Sequence, residues 1–312
     1  MPAEALVSME IIVKKTCVFF SVLAVAAGAA CAQDQAPLTG ILKVGALEMI
    51  RTNSKFNAGP LGTIESTMDS FGGAFSSTDL SKVVRGEQAP QTTIGSCFIS
   101  PLGLQLETPP RTDAVTYLDA GPFINITGPN GSKQIPVAKL LYGAALGGGL
   151  PLPLLPPPPP LFVTPGTYTA DNGAGGADVG AFTATLNIPS LFVWTNADTS
   201  LLIDRAAGAD FTWTGGDPAG RVYIGGSVTL TNAATRKVDG GAIFTSVAEN
   251  SAGHFVVPPE VLTLLPASTT TAGVSNGNLV VSHGIEAKFD APSVGESLFT
   301  FISGTTRNAE FK

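Results

Sequence analysis

Ala181-Phe182-Thr183-Ala184-Thr185-Leu186-Asn187-Ile188 carries an apolar side chain at every second position. Successive side chains of an extended chain point to opposite faces. Phe182, Ala184, Leu186 and Ile188 therefore share one face, and the two threonines and Asn187 share the other, as in an antiparallel strand with one side buried. The same period recurs on both sides. Phe123-Ile124-Asn125-Ile126-Thr127 runs into Gly128-Pro129-Asn130-Gly131, a composition suited to a tight turn. Phe211-Thr212-Trp213-Thr214 and Arg221-Val222-Tyr223-Ile224 flank Gly215-Gly216-Asp217-Pro218-Ala219-Gly220 as strand, turn and strand, and Gly240-Gly241 leads into Ala242-Ile243-Phe244-Thr245-Ser246-Val247. Short strands between turn signals predict an all-β chain: two antiparallel β-sandwich modules, Ig-like or jelly-roll-like, with little helix after an N-terminal signal helix.

Helical signal is sparse. Residues 258–265, Pro-Pro-Glu-Val-Leu-Thr-Leu-Leu, suit either one helical turn opened by proline and ended by Pro266, or a strand. Residues 77–84 offer a second short turn of helix. The least legible part is 51–115, where polar and glycine-rich stretches such as Phe71-Gly72-Gly73-Ala74-Phe75 separate weak strands.

The other organising feature is the N-terminus. Lys14 and Lys15 precede an apolar run from Cys17 to Ala27, and Ala30-Cys31-Ala32 forms a small-x-small site before Gln33-Asp34-Gln35. This is the pattern of a secretory signal peptide, residues 1–32, cleaved between Ala32 and Gln33, with Met9 as the natural start. It predicts a secreted, periplasmic or cell-surface location. The apolar run is shorter than the roughly 20 residues a bilayer crossing needs, and no span is expected in the mature chain. The mature residues divide near 189–196 into an N-terminal sandwich, 37–189, and a C-terminal Ig-like sandwich, 190–312. A proline-rich excursion at 147–160 interrupts the first. Five consecutive prolines, 156–160, cannot donate to a sheet ladder and favour polyproline II, either as a solvent or sheet-edge excursion or as a recognition arm.

Composition removes several function classes. The net charge is −7 with only 13% charged residues, so no basic face exists to neutralise phosphates and no nucleic-acid partner is expected. Cys17 and Cys31 lie in the signal, leaving Cys97 as the single thiol of the mature chain. No internal disulfide can form, and stability must come from a hydrophobic core. Beside Ile94, Phe98 and Ile99, Cys97 reads as a buried strand cysteine. Two histidines, His254 and His283, form no metal-ligand spacing, and no nucleophile elbow, P-loop or dinucleotide fingerprint is present. No catalytic residue is assigned. Asp198, Asp204, Asp210, Asp217 and Asp239 stand in turn-like contexts that do not define a carboxylate pair. Asp171, Asn172 and Asp178 offer hard oxygen ligands on a glycine-rich loop, a weak calcium site weighed against a solvated turn; no other cofactor is expected. Trp194, Trp213 and Tyr223, with Tyr168, suit either a sugar-stacking platform or core packing.

The segments Gly166-Thr-Tyr-Thr, 175–189, 211–218 and 251–258 resemble a group of secreted, functionally uncharacterised β-sandwich proteins common in acidobacteria. The resemblance spans roughly residues 117–266 and implies an extracellular β-sandwich with no activity to carry over. It also implies a cysteine in relatives near the strand that here reads Phe244-Thr245-Ser246, so that Ser246 takes the place of a partner for Cys97. The function expected is that of an exported, non-enzymatic structural, adhesive or envelope-associated binding protein. The alternative is a carbohydrate-binding or carbohydrate-processing module, with cell-surface or polysaccharide contact as the partner class.

Overall fold

The computed structural model describes residues 40–57, 62–82, 93–102, 114–151, 156–231, 235, 238–271 and 274–312. The expected signal peptide, 1–32, its expected cleavage point between Ala32 and Gln33, and Met9 as the expected start lie outside them. The fold is nearly all-β. In chain order the strands are β1 (Ile41–Asn57), β2 (Thr63–Asp79), β3 (Cys97–Pro101), β4 (Val115–Tyr117), β5 (Phe123–Gly128), β6 (Gly131–Ala138), β7 (Leu141–Gly149), β8 (Gly166–Asp171), β9 (Thr183–Ile188) and β10 (Val193–Trp194). They continue with β11 (Leu202–Ile203), β12 (Ala209–Thr214), β13 (Arg221–Thr231), β14 (Val238–Glu249), β15 (His254–Val257), β16 (Thr270–Thr271), β17 (Val274–Ser275), β18 (Gly277–Ala291) and β19 (Gly295–Phe311).

Fourteen of these form one sheet in the order β3-β14-β13-β18-β19-β1-β2-β7-β6-β5-β8-β9, with β11 beside β19 and β4 beside β2. The pairing is mixed, which corrects the expectation of purely antiparallel sheets. β1 and β19 lie parallel, from Ala46 opposite Leu298 to Lys55 opposite Arg307. A parallel pair needs a long crossover, and here the whole intervening chain supplies it. A separate three-stranded sheet, β10-β12-β15, packs over part of the large one.

Two apolar clusters fill the space between layers. The first joins Leu47, Met49, Phe71 and Phe75 of the β1–β2 hairpin to Tyr168, Leu186, Ile188, Ile285, Phe289, Phe299 and Phe301. Phe182 bridges it, with its ring 5.3 Å from Phe75 and 5.0 Å from Phe289. The second joins Trp194, Phe211 and Trp213 of the small sheet to Val222, Ile224, Phe244, Leu279, Val281 and Phe311 of the large one. β18 and β19 contribute to both clusters, so the two clusters share two long strands.

Several local expectations hold. β9 buries Ala184, Leu186 and Ile188 and exposes Thr183, Thr185 and Asn187, with Phe182 buried just ahead of it. Gly128 pairs with Gly131 across a hairpin turn. Of the alternatives at residues 258–265 the helix is formed: α1 (Pro259–Leu262) starts with proline in its first turn. A 3-10 turn at Leu80–Lys82 occupies part of the second helical candidate, whose last residues lie outside the described residues. The segment hardest to read overlaps the longest hairpin among the described residues, since β1 and β2 pair continuously from Ile41 opposite Asp79 to Asn57 opposite Thr63. The strand-turn-strand at 211–224 is no hairpin: β12 pairs with β10 and β15, β13 with β14 and β18, and the turn 215–220 carries the chain from the small sheet to the large one.

Candidate functional site

Between the two clusters the covered face of the large sheet turns polar. His283 pairs with Ser303, Ser303 with Arg51 and Arg51 with Asp69, one row across β18, β19, β1 and β2. All four are buried. Two rows further along the same strands come Arg307, Lys55 and Glu65. Alternation puts these side chains on the face that carries Leu47 and Met49.

Arg51 and Asp69 form the centre of this seam. Arg51 Nε and Nη2 donate to Asp69 Oδ1 and Oδ2 at 2.7 and 2.8 Å, a two-pronged ion pair. Both members also grip the backbone of Val163: its N–H donates to Asp69 Oδ2 at 2.7 Å, and its carbonyl accepts from Arg51 Nη2 at 2.6 Å. Val163 lies three residues past the end of the proline run, after Leu161 and Phe162. Pro159 is held as well, its carbonyl accepting the Gly148 N–H at 2.8 Å. Gly147 permits this approach, because a Cβ there would strike the Pro160 carbonyl. Most of residues 156–160 face solvent while Phe162 and Val163 enter the core. The prolines are thus an outward segment bolted down at its C-terminal end.

Nearer the sheet end, Arg307 is buried beneath an exposed acid. Its Nε donates to Asp198 Oδ1 at 3.1 Å and its Nη1 to Asn53 Oδ1 at 2.7 Å. Lys55 reaches the other Asp198 oxygen at 2.9 Å. The Lys55 hydrogen bond first, and then Arg307, holds the Asp198 carboxyl below its ordinary range. Three cations (Arg51, Lys55, Arg307) meet three carboxylates (Glu65, Asp69, Asp198), so the seam is close to neutral and its charges are spent within the protein.

His283 closes the row on the other side. Its ring stacks on Phe192 at 5.5 Å and 11°. Its Nε2 lies 3.2 Å from the Asp217 carbonyl, which can only accept, so Nε2 carries the proton. Desolvation pushes its pKa below the ordinary imidazole value. Ser303 is its cross-strand neighbour, and with Nε2–H on the Asp217 carbonyl the basic lone pair of the ring lies at Nδ1.

The aromatic candidates do not converge. Trp194 and Trp213 are both 3% exposed, in the second cluster. Their indole N–H groups donate to Asn196 Oδ1 and to the Asn250 carbonyl at 2.7 and 2.9 Å. Tyr168 is buried in the first cluster, its hydroxyl tied to Thr164. Tyr223 alone is exposed, on the opposite face of β13 from the buried Val222 and Ile224.

The calcium candidates also part company. Asn172 is buried: its amide nitrogen donates to the Ala120 and Gly180 carbonyls, and its oxygen accepts the Phe182 N–H at 2.8 Å. Asp171 accepts from Asn125 and the Gly173 N–H, whereas Asp178 caps the Asp119 N–H. Loop closure uses the Asn172 oxygen and one oxygen of each carboxylate, and among the described residues no three His, Cys, Asp or Glu side chains group as metal ligands. Asp204 and Asp217 bind backbone N–H groups two residues ahead, as turn acids do. His254 is exposed on β15, which pairs with β12.

Cys97 sits half-buried on β3, directly opposite Ser246, whose hydroxyl donates to its sulfur. Burial pushes the thiol pKa up. Sequence reasoning missed Arg51, Asp69 and Arg307, and read His283 only as lacking a metal-ligand spacing. Their only signal was a charged or titratable residue at a core-facing position of an alternating strand, which is visible once strand registers are known. Among the described residues no helix is long and apolar enough to cross a membrane. No family model, curated protein or solved structure matches this chain.

Proposed function

We propose that the protein is an exported, non-enzymatic structural or adhesive component that binds at the cell envelope. The observation that carries this reading is the burial of both tryptophans with their indole N–H groups satisfied internally. A sugar platform needs aromatic faces in solvent, and these faces pack the core instead. The polar seam supports the same reading, since its charged groups hold the proline segment and the 198 region to the sheet. The signal-like N-terminus supports an address outside the cytoplasm. The two apolar clusters support a finer description as two sandwich-like units, Ig-like or jelly-roll-like, divided near 189–196 and welded along β18 and β19.

The test is to fractionate producing cells and to probe the purified full-length mature protein on a glycan array. The expected result is recovery outside the cytoplasm, retention by isolated envelopes and a blank array. Specific, saturable binding to one glycan class would replace this reading with the carbohydrate-binding alternative.

A further inference from the structure

We propose that His283 is an acid-sensitive latch on the 215–220 turn, so that protonation of its imidazole releases the corner joining the small sheet to the large one. The turn is held by its carbonyls. Ser190 Oγ donates to Gly216 O at 3.1 Å, Asn250 Nδ2 to Gly215 O and Asp217 O at 2.8 and 2.9 Å, and His283 Nε2 to Asp217 O at 3.2 Å. The turn also roofs the ring. A Cβ on Gly216 would lie 2.9 Å from two imidazole atoms, and one on Gly220 would collide with Nε2. Two glycines thus let backbone close over a side chain that is 1% exposed.

With Nε2–H committed to a carbonyl, the added proton goes to Nδ1 and creates a cation where water cannot reach. The groups around the ring offer little compensation. Ser303 on β19, Val222 on β13, Phe192 and Asn250 are uncharged. Arg51 lies one strand further and is paired with Asp69. Asp217 contributes the one favourable charge, and its Oδ1 already accepts the Ala219 N–H. Burial outweighs it, since the imidazole pKa is lowered overall. Hydrating the cation requires the turn to lift. That lift breaks the Asn250 contacts, and Asn250 also anchors Trp213 through its carbonyl. The small sheet is the layer that loosens.

The sign follows from linkage. A base whose folded pKa is depressed contributes its full stability above the unfolded value of 6.5 and loses it as pH falls below that value toward the folded one. The folded-to-unfolded ratio then drops by up to about tenfold for each pH unit crossed. The test compares the full mature chain with His283→Gln, whose amide donates to the Asp217 carbonyl but does not titrate in this range. Between pH 7.5 and 5.5 the wild-type melting midpoint should fall and the protection of the Gly220 and Asn250 amides should drop, with exchange corrected for its intrinsic pH dependence. The variant should show a clearly flatter profile. Equal pH profiles for the two proteins would overturn the latch. Should the variant not fold, imidazole titration by NMR in the wild type decides: His254, which is exposed, serves as reference. A His283 pKa below that of His254 supports the proposal, and one equal or higher overturns it.

Discussion

Arg51 and Asp69, directly opposite each other in the β1–β2 hairpin, meet through two hydrogen bonds and together clamp both backbone polar groups of Val163. A cross-strand ion pair thereby fixes where a proline-rich segment re-enters the core. Removing one member strands the other charge in a buried site. Arg51→Ala and Asp69→Ala should each cost about 3–5 kcal/mol. The double change Arg51→Ala with Asp69→Ala should cost less than the two singles combined, because no charge is left unpaired. Urea denaturation of the four proteins measures the coupling.

Cys97 and Ser246 occupy partner positions on adjacent antiparallel strands, where Cα separations suit a disulfide. Ser246→Cys should oxidise in air to an intramolecular bridge that closes a long loop and adds about 2–4 kcal/mol. Intact mass before and after reduction detects the bridge, and a reductant-sensitive melting temperature measures the gain. In the wild type, desolvation and the raised thiol pKa should make Cys97 react with a thiol reagent more slowly than a free cysteine peptide.

Asn172 spends its whole amide on Ala120, Gly180 and Phe182. Asn172→Ala should destabilise by about 1–3 kcal/mol, since buried backbone groups lose their partners. Adding a chelator should leave the melting temperature of the wild type unchanged. A drop that calcium restores would revive a cation site on the 171–178 loop.

Asp198 makes several polar contacts yet its side chain is 56% exposed, whereas Arg307 beneath it is 7% exposed. Solvent screening discounts the acid's contribution. Asp198→Ala should therefore cost far less than Arg51→Ala. Because its folded pKa is depressed, what it does contribute is present above the ordinary carboxylate range and disappears as pH falls through the folded value. Melting curves at pH 7 and pH 3 distinguish the two.

How much was legible depended on which partner each strand has. β9 and β5 declared themselves because one face is apolar and the other hydroxyl-bearing, and the turn at Gly128 to Gly131 follows from local backbone chemistry. β1 and β2 were obscure for the opposite reason. Their buried face changes along its length from Leu47 and Met49 to Arg51, Asn53 and Lys55, and no alternating template accommodates that change. For Trp194 and Trp213 the strand settings favoured core over ligand roles but could not decide between them, since a strand tryptophan has the same sequence context in either.

The sequence by itself determined strand alternation and the turn positions, which are properties of neighbouring residues, and its N-terminal pattern raised the expectation of export. Only the tertiary structure decided that the first and last described strands of the sheet's centre, β1 and β19, run side by side in parallel. That pairing assembles His283, Ser303, Arg51 and Asp69 into one buried row from positions more than two hundred residues apart. The reason is physical: alternation is set by the geometry of one strand, whereas register between distant strands is set by which faces can be buried together, a property of no segment alone.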